Sequence, residues 1–258
     1  MTVTPAGVAT LEPRRGHAMA VAFLSASTAY GTVFADPFEV GGTDTRDGWA
    51  LEVESVRLRS GDEVIHTHPA LGLTLGFGKR FELAIGSGYG IAEFDGGERR
   101  SGSHDLELAF KWMLRPESYT SVGIAIEPEL SVPTGDRAAG MGEGDTLLEL
   151  PLRVSGSFGH GRVTGQGSWL HAKRSGKSAW SAGVLYEQQV ARDLWLGAEA
   201  MHEQNLDAGA DTSQRGSVGF RWQPHGQWEV SGGYRRSWRH GAGGVQSSVQ
   251  LGIEFQFD

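Results

Sequence analysis

Alternation with period two, sustained over runs of about ten residues and repeated along most of the chain, is the feature that most constrains this sequence. From 81 to 91, Phe81, Leu83, Ile85, Tyr89 and Ile91 share one face, broken only by Ser87. Glu82, Ala84, Gly86, Gly88 and Gly90 share the other. A helix would mix the two sets, because its faces recur about every 3.6 residues. The same comb runs through Leu71–Phe77, Leu106–Leu114, Val122–Val132 and Leu148–Val154, then Trp180–Tyr186, Leu194–Ala200, Val218–Trp222 and Val249–Phe257. Weaker combs lie near 48–58, 162–172 and 228–238. The reading is twelve strands, an even number.

The connections carry an independent signal. Gly78-Lys79, Arg115–Glu117, Gly159–Gly161, Ala191–Asp193 and Pro224–Gly226 read as tight turns. Between them, 59–63, 93–103, 133–144, 173–178, 204–214 and 239–244 read as mostly longer, polar loops. Soluble sandwiches have no reason to segregate loop length between their two ends, whereas membrane barrels have short turns at one end and longer loops at the other.

Face chemistry points the same way. In a soluble β-protein the apolar comb faces a core and the other face is wet, rich in Lys, Glu and Thr. Here that second face mixes charges with many small residues, and 39 of the 258 residues are glycine, about twice the usual share. Trp112, Trp180, Trp222, Trp228, Trp238, Tyr89, Tyr119 and Phe257 fall near comb ends, where the aromatic girdles of a membrane barrel sit. The expected fold is therefore all-β: a 12-stranded antiparallel transmembrane β-barrel over 48–258. A closed barrel leaves no unpaired strand edge in lipid.

Residues 1–35 read as a signal peptide. An uncharged stretch, 18–35, follows Arg14, Arg15 and His17, and Val33-Phe34-Ala35 suits cleavage before Asp36. Export together with the barrel places the protein in the outer membrane of a Gram-negative bacterium. Residues 36–47 carry no comb and are expected to be a periplasmic leader or a partial plug of the bore. With no cysteine, disulfides, thiolate metal sites and cysteine nucleophiles are excluded. A net charge of −8 argues against a nucleic-acid partner.

If the combs face lipid, the expected pore-lining residues are Asp105, Glu107, Lys111, Glu127, Glu129, Glu149, Arg153, Glu187, Glu199, Arg221, Arg235 and Glu254, with Glu82 and Glu229 on the same face. Asp105, Glu107, Glu127, Glu129 and Glu149 would share one wall of the outer half. Adjacent carboxylates repel unless protonated, paired or metal-bound, and Arg153, Arg221 and Arg235 are the available partners. The wall reads as a hydrogen-bonded filling of a narrow lumen, a cation-favouring constriction, or a hard-cation site.

No catalytic set and no metal site is assigned. Ser103-His104-Asp105 puts three useful types in a row, but alternation sends neighbours to opposite faces; His66 and His68 make at most a weak metal pair. No cofactor is expected, and the chain is not read as an enzyme.

The segments Pro69–Leu73 with Lys79–Leu83, Glu127–Asp136 and Gly252–Phe255 resemble the outer-membrane family of the MetA pathway of phenol degradation, over roughly 45–258. The resemblance implies a channel for facilitated diffusion of small, hydrophobic or aromatic molecules, with membrane lipids, cargo and the barrel-assembly machinery as partners. Outer-membrane strands usually end on an aromatic residue read by that machinery, and here Asp258 follows Phe257. The alternatives are a closed structural or adhesive barrel working through its external loops, and an outer-membrane lipid-acting hydrolase.

Overall fold

The computed structural model describes residues 37–61, 63–94, 96–207, 212–240 and 244–257. The expected signal peptide, 1–35, lies outside the described residues. Fourteen strands follow one another: β1 (Gly48–Ser60), β2 (Glu63–Phe77), β3 (Phe81–Glu93), β4 (Arg99–Ser103), β5 (Leu106–Arg115), β6 (Gly123–Ile126) and β7 (Glu129–Val132), then β8 (Leu147–Phe158), β9 (Gly161–Ala172), β10 (Ser178–Ala191), β11 (Leu194–Asn205), β12 (Thr212–His225), β13 (Trp228–Arg239) and β14 (Val245–Phe257).

They build twelve staves. β4 and β5 both pair with β3 and form one stave broken at His104-Asp105. β6 and β7 both lie between β5 and β8 and form another, broken at Glu127-Pro128. Pro128 has no N–H to give a ladder, so a break is where it fits. Each stave pairs antiparallel with the next, and β1 with β14 closes the ring, from Trp49 opposite Phe257 to Ser60 opposite Gln246.

The outside is greasy and the inside charged. Leu71, Leu152, Val218 and Leu251 are 48%, 49%, 56% and 54% exposed, while Glu52, Glu82, Arg153, Glu187, Glu199, Glu203, Arg215 and Arg235 are buried. Exposed Trp49, Phe77, Trp112, Tyr186, Trp222, Trp228 and Phe257 ring the turn end; Tyr89, Trp169, Tyr234 and Trp238 lie toward the loop end. A protein that buries arginine and exposes leucine in rows has hydrocarbon as its outer solvent.

One consequence is a test of that orientation. Leu251 lies on β14 opposite Ser55 of β1 and Gly232 of β13, well inside the apolar band. Leu251→Arg is expected to destabilise the barrel in bilayers by about 2–4 kcal/mol, read as a lower urea midpoint for refolding into vesicles; an unchanged midpoint would contradict the lipid-facing assignment.

Several connections differ from the sequence expectation. β2 begins at Glu63, so the first loop is only residues 61–62, and β4 recovers Arg99–Ser103 from what reads as loop. These segments rise beyond the apolar band, where Arg99 and Ser101 sit outward and the alternation of greasy residues that marks a strand is absent. The turn expected at Arg115–Glu117 extends to 122, since Ser118 and Ser121 form a small bridge there.

Candidate functional site

The interior is organised by residues 37–47. This segment precedes β1 and runs up the lumen from the turn end. Phe38 and Val40 are 2% and 0% exposed and pack with Leu185 and Met201 of the wall. Glycines make room for it: a Cβ on Gly197 would come within 2.4 Å of the Phe38 ring, and one on Gly183 within 2.8 Å of Val40 Cγ2. The Val40 amide donates to Glu199 Oε2 at 2.6 Å, and the Ser217 hydroxyl donates to Glu199 Oε1 at 2.6 Å.

Charges hold it at both levels. In the outer half, Glu39 meets Arg215 at 3.1 Å and Arg235 at 3.0 Å, and Arg215 also meets Glu203 at 3.1 Å. Toward the turn end, Arg46 meets Glu254 at 2.5 Å and Glu82 at 3.4 Å, with Glu52 at 4.0 Å. Also toward the turn end, the Thr43 and Ser155 hydroxyls are 2.5 Å apart, and Arg162 bridges Asp44 at 2.7 Å and Glu117 at 3.0 Å. Glu117 reaches this network from the β5–β6 turn.

The expected lumen residues divide accordingly. Glu107, Glu127, Glu129 and Glu149 do share a wall: Glu129 is opposite Glu149, and Glu107 faces Ser131 two residues away from Glu129. Glu127 pairs with Arg153 and lies 3.7 Å from Lys111; Arg153 is 3.5 Å from Glu129, and Lys111 is 3.5 Å from Glu82. Arg221 pairs with Glu187, and Arg235 with Glu39. Asp105 stands apart, accepting from the Gly135 amide at 2.7 Å and the Glu143 amide at 2.8 Å. Around the segment, Arg46, Glu82, Lys111, Arg221, Glu229 and Glu254 line both a cavity of about 120 Å³ and a larger one of about 360 Å³ toward the turn end.

From the other end, the loop 133–146 folds into the mouth. Met141 and Ala139 are buried against Leu58, Ile65 and Ala92 of the β1–β3 wall. His104 fixes the loop, its Nε2 at 3.0 Å from the Thr67 hydroxyl and its Nδ1 at 3.2 Å from the Met141 carbonyl. Because the stave breaks at His104-Asp105, both side chains turn inward while Ser103 stays outward, so the three residues form no catalytic alignment. Among the described residues no cluster of three or more metal-ligating side chains is present.

Glu143, in this loop, has its carboxyl pushed up to about 8, by burial first and then by the neighbouring Asp105 and Asp145 carboxylates. A carboxyl whose docked-state value exceeds its free value of 4.5 favours docking when protonated. That contribution is complete below about pH 4.5 and is lost as pH rises through about 8. The Gly135 and Glu143 amides are therefore expected to exchange faster at pH 9 than at pH 6, after correction for intrinsic rate. Faster exchange at pH 6 would reverse the assignment.

Glu39, Arg46, Glu203 and Arg215 escape the sequence reading for different reasons. Glu203 and Arg215 need only the alternation continued three residues, beyond Ala200 on β11 and back from Val218 on β12. Glu39 and Arg46 lie in a segment without periodicity, and nothing in the sequence marks them.

A closed ring of twelve antiparallel staves with a lipid-facing apolar band and a charged lumen defines a transmembrane β-barrel of the outer-membrane class. No family model matches the chain, and no curated protein matches it. Among solved structures it is similar to the COG4313 outer membrane channel from Pseudomonas putida F1, at TM-score 0.68 and 15% identity over 87% of this chain and 100% of that one. The translocator domain of the autotransporter NalP from Neisseria meningitidis aligns at TM-score 0.51 and 14% identity, over 85% and 90% of the two chains. The CymD monoaromatic hydrocarbon channel aligns at TM-score 0.50 and 9% identity, over 90% and 96%. Channels and a translocator domain share this architecture, so at these identities the likeness establishes the fold.

Proposed function

We propose that this protein is an outer-membrane channel for facilitated diffusion of small molecules, with residues 37–47 as a resident plug. The observation that carries the reading is the lumen itself. A barrel serving only as a scaffold can fill its bore with its own wall side chains; here the bore is wide enough to admit a separate segment. That segment is held through ion pairs of Glu39, Asp44 and Arg46 instead of a continuous apolar core. The expected pore-lining residues Glu107, Lys111, Glu127, Glu129, Glu149, Arg153, Glu187, Glu199, Arg221, Arg235 and Glu254 would set selectivity around it, while Asp105 would act by holding the loop 133–146.

Hydrophobic or aromatic cargo belongs to this proposal through the resemblance to the MetA-pathway family, and a monoaromatic hydrocarbon channel of the same fold supports it. Insertion by the barrel-assembly machinery, reading Phe255 and Phe257 near the end of β14, belongs to it as well. The test is liposome swelling with a panel of small polar and aromatic solutes. Faster swelling with aromatic solutes than with sugars of similar size is the expected result.

The density of contacts to residues 37–47 favours one second reading, a closed barrel that works through its external loops. Uniform impermeability, both in the intact protein and after removal of the segment, would establish that reading and end the transport proposal.

A further inference from the structure

The outward face of β13, β14 and β1 carries a feature that transport does not use. Arg57 and Arg59 point outward on β1, just past the apolar Leu51 and Val53, and Arg236 points outward on β13 between Tyr234 and Trp238; all three are exposed. The register brings them together. Arg236 is opposite Ser247 of β14, and Ser247 is opposite Arg59 of β1. Strands about 4.8 Å apart put Arg59 and Arg236 roughly 10 Å apart at the backbone, with Arg57 one outward position below Arg59 and about 7 Å away.

Three outward arginines, two on β1 and one on β13 with β14 between them, are unusual here. Among the described residues, none of the three has a carboxylate within ion-pair distance, whereas outward Arg99 is paired with Glu93 at 3.0 Å. Arg59 donates to the Gly61 carbonyl at 3.3 Å, and the Arg236 guanidinium stacks 5.7 Å from the Trp238 ring centroid. Elsewhere at this level the outward positions on β9 to β12 are His171, Trp180, His202 and Gln214. Directly below the arginines, Val249, Leu251, Ile253, Val53 and Leu51 form an exposed apolar surface.

We infer that this face is a docking site for a phosphate-bearing lipid of the outer leaflet, with the phosphates held by Arg57, Arg59 and Arg236 and the acyl chains lying on the apolar rows of β14 and β1. Guanidinium groups form paired hydrogen bonds to phosphate oxygens. The Ser247 hydroxyl lies between the two upper arginines as a further donor, and Tyr234 and Trp238 mark the headgroup level. A second copy of this face would bring like charges together, so the ligand is anionic and amphipathic. The inference rests on the outer-membrane reading proposed above, taken with the longer loops facing outward, and not on the lumen being open.

Native mass spectrometry of the purified full-length barrel in neutral detergent tests it, with added diphosphoryl lipid A, its fully dephosphorylated form, or inorganic phosphate. Retention of the diphosphoryl lipid alone is expected. Each Arg→Gln substitution at 57, 59 or 236 should weaken retention about fivefold, and the triple variant should abolish it at the same lipid concentration. Arg192→Gln, at the turn end, should leave retention unchanged. Folding is checked independently by heat-modifiable gel migration, and the three single variants stand in if the triple variant does not fold. Equal retention of the dephosphorylated lipid, binding of inorganic phosphate alone at the same sites, or full retention by the arginine variants would each overturn the inference.

Discussion

Deleting residues 37–47 raises single-channel conductance, and the swelling rate of liposomes, by an order of magnitude or more over the intact chain. The expectation follows from what the segment occupies. A twelve-stave bore is wider than one that wall side chains alone fill, and Phe38, Val40 and Thr43 are buried inside it. Removal also bares charges at different heights: Arg215 and Arg235 lose Glu39, and Glu52, Glu82 and Glu254 lose Arg46, while Arg162 loses Asp44 but keeps Glu117. The open form should therefore present a cationic level toward the loops and an anionic one toward the turns.

The complementary experiment locks the segment in place. A Cβ at Gly183 falls 2.8 Å from Val40 Cγ2, which is itself about 1.5 Å from its own Cβ. Val40→Cys with Gly183→Cys is thus within disulfide range, and the chain has no other cysteine to compete. Oxidation should hold conductance at or below that of the intact protein, and reduction should restore it. Equal conductance in the deleted, locked and intact forms would show that the segment does not govern passage.

Arg215→Met is expected to cost about 3–5 kcal/mol of barrel stability, the usual penalty for removing one member of a buried ion network. Arg215 is 5% exposed and lies between Glu39 and Glu203, the latter 2% exposed. Its loss strands a carboxylate on the wall and loosens the segment as well. Adding Glu203→Gln to the variant should recover a large part of the loss, because it removes the stranded charge. Urea-induced unfolding of the single and double variants measures both. If Arg215→Met alone were neutral, the network would be contributing no net stability.

The fold was legible in the sequence because lipid and lumen impose opposite chemistry on alternate residues. Leu71, Leu73 and Leu75 could be assigned outward, and Glu82, Glu187 and Glu254 inward, from parity alone. The shared wall of Glu107, Glu127, Glu129 and Glu149 followed from parity and strand direction together. Partner choice did not, since it depends on register across the ring: Arg221 pairs with Glu187 and Arg235 with Glu39. Asp105 was placed inward but its role was missed, because the break in its stave and the return of the loop 133–146 are tertiary events. The segment 37–47 was the hardest part. An extended chain inside a charged tube needs neither alternation nor helical period, so Phe38 and Val40 looked like any short apolar pair.

The two interrupted staves have a mechanical meaning. At His104-Asp105 and Glu127-Pro128, on neighbouring staves, the regular ladder gives way to isolated backbone bonds such as His104 N–H to the Gly88 carbonyl and Glu127 N–H to the Pro151 carbonyl, so compliance is expected to be greatest in that sector. Lys111, Glu127 and Arg153 are mounted on that sector, and the inward loop is rooted there. Breathing of the wall there would accordingly shift these charges against residues 37–47.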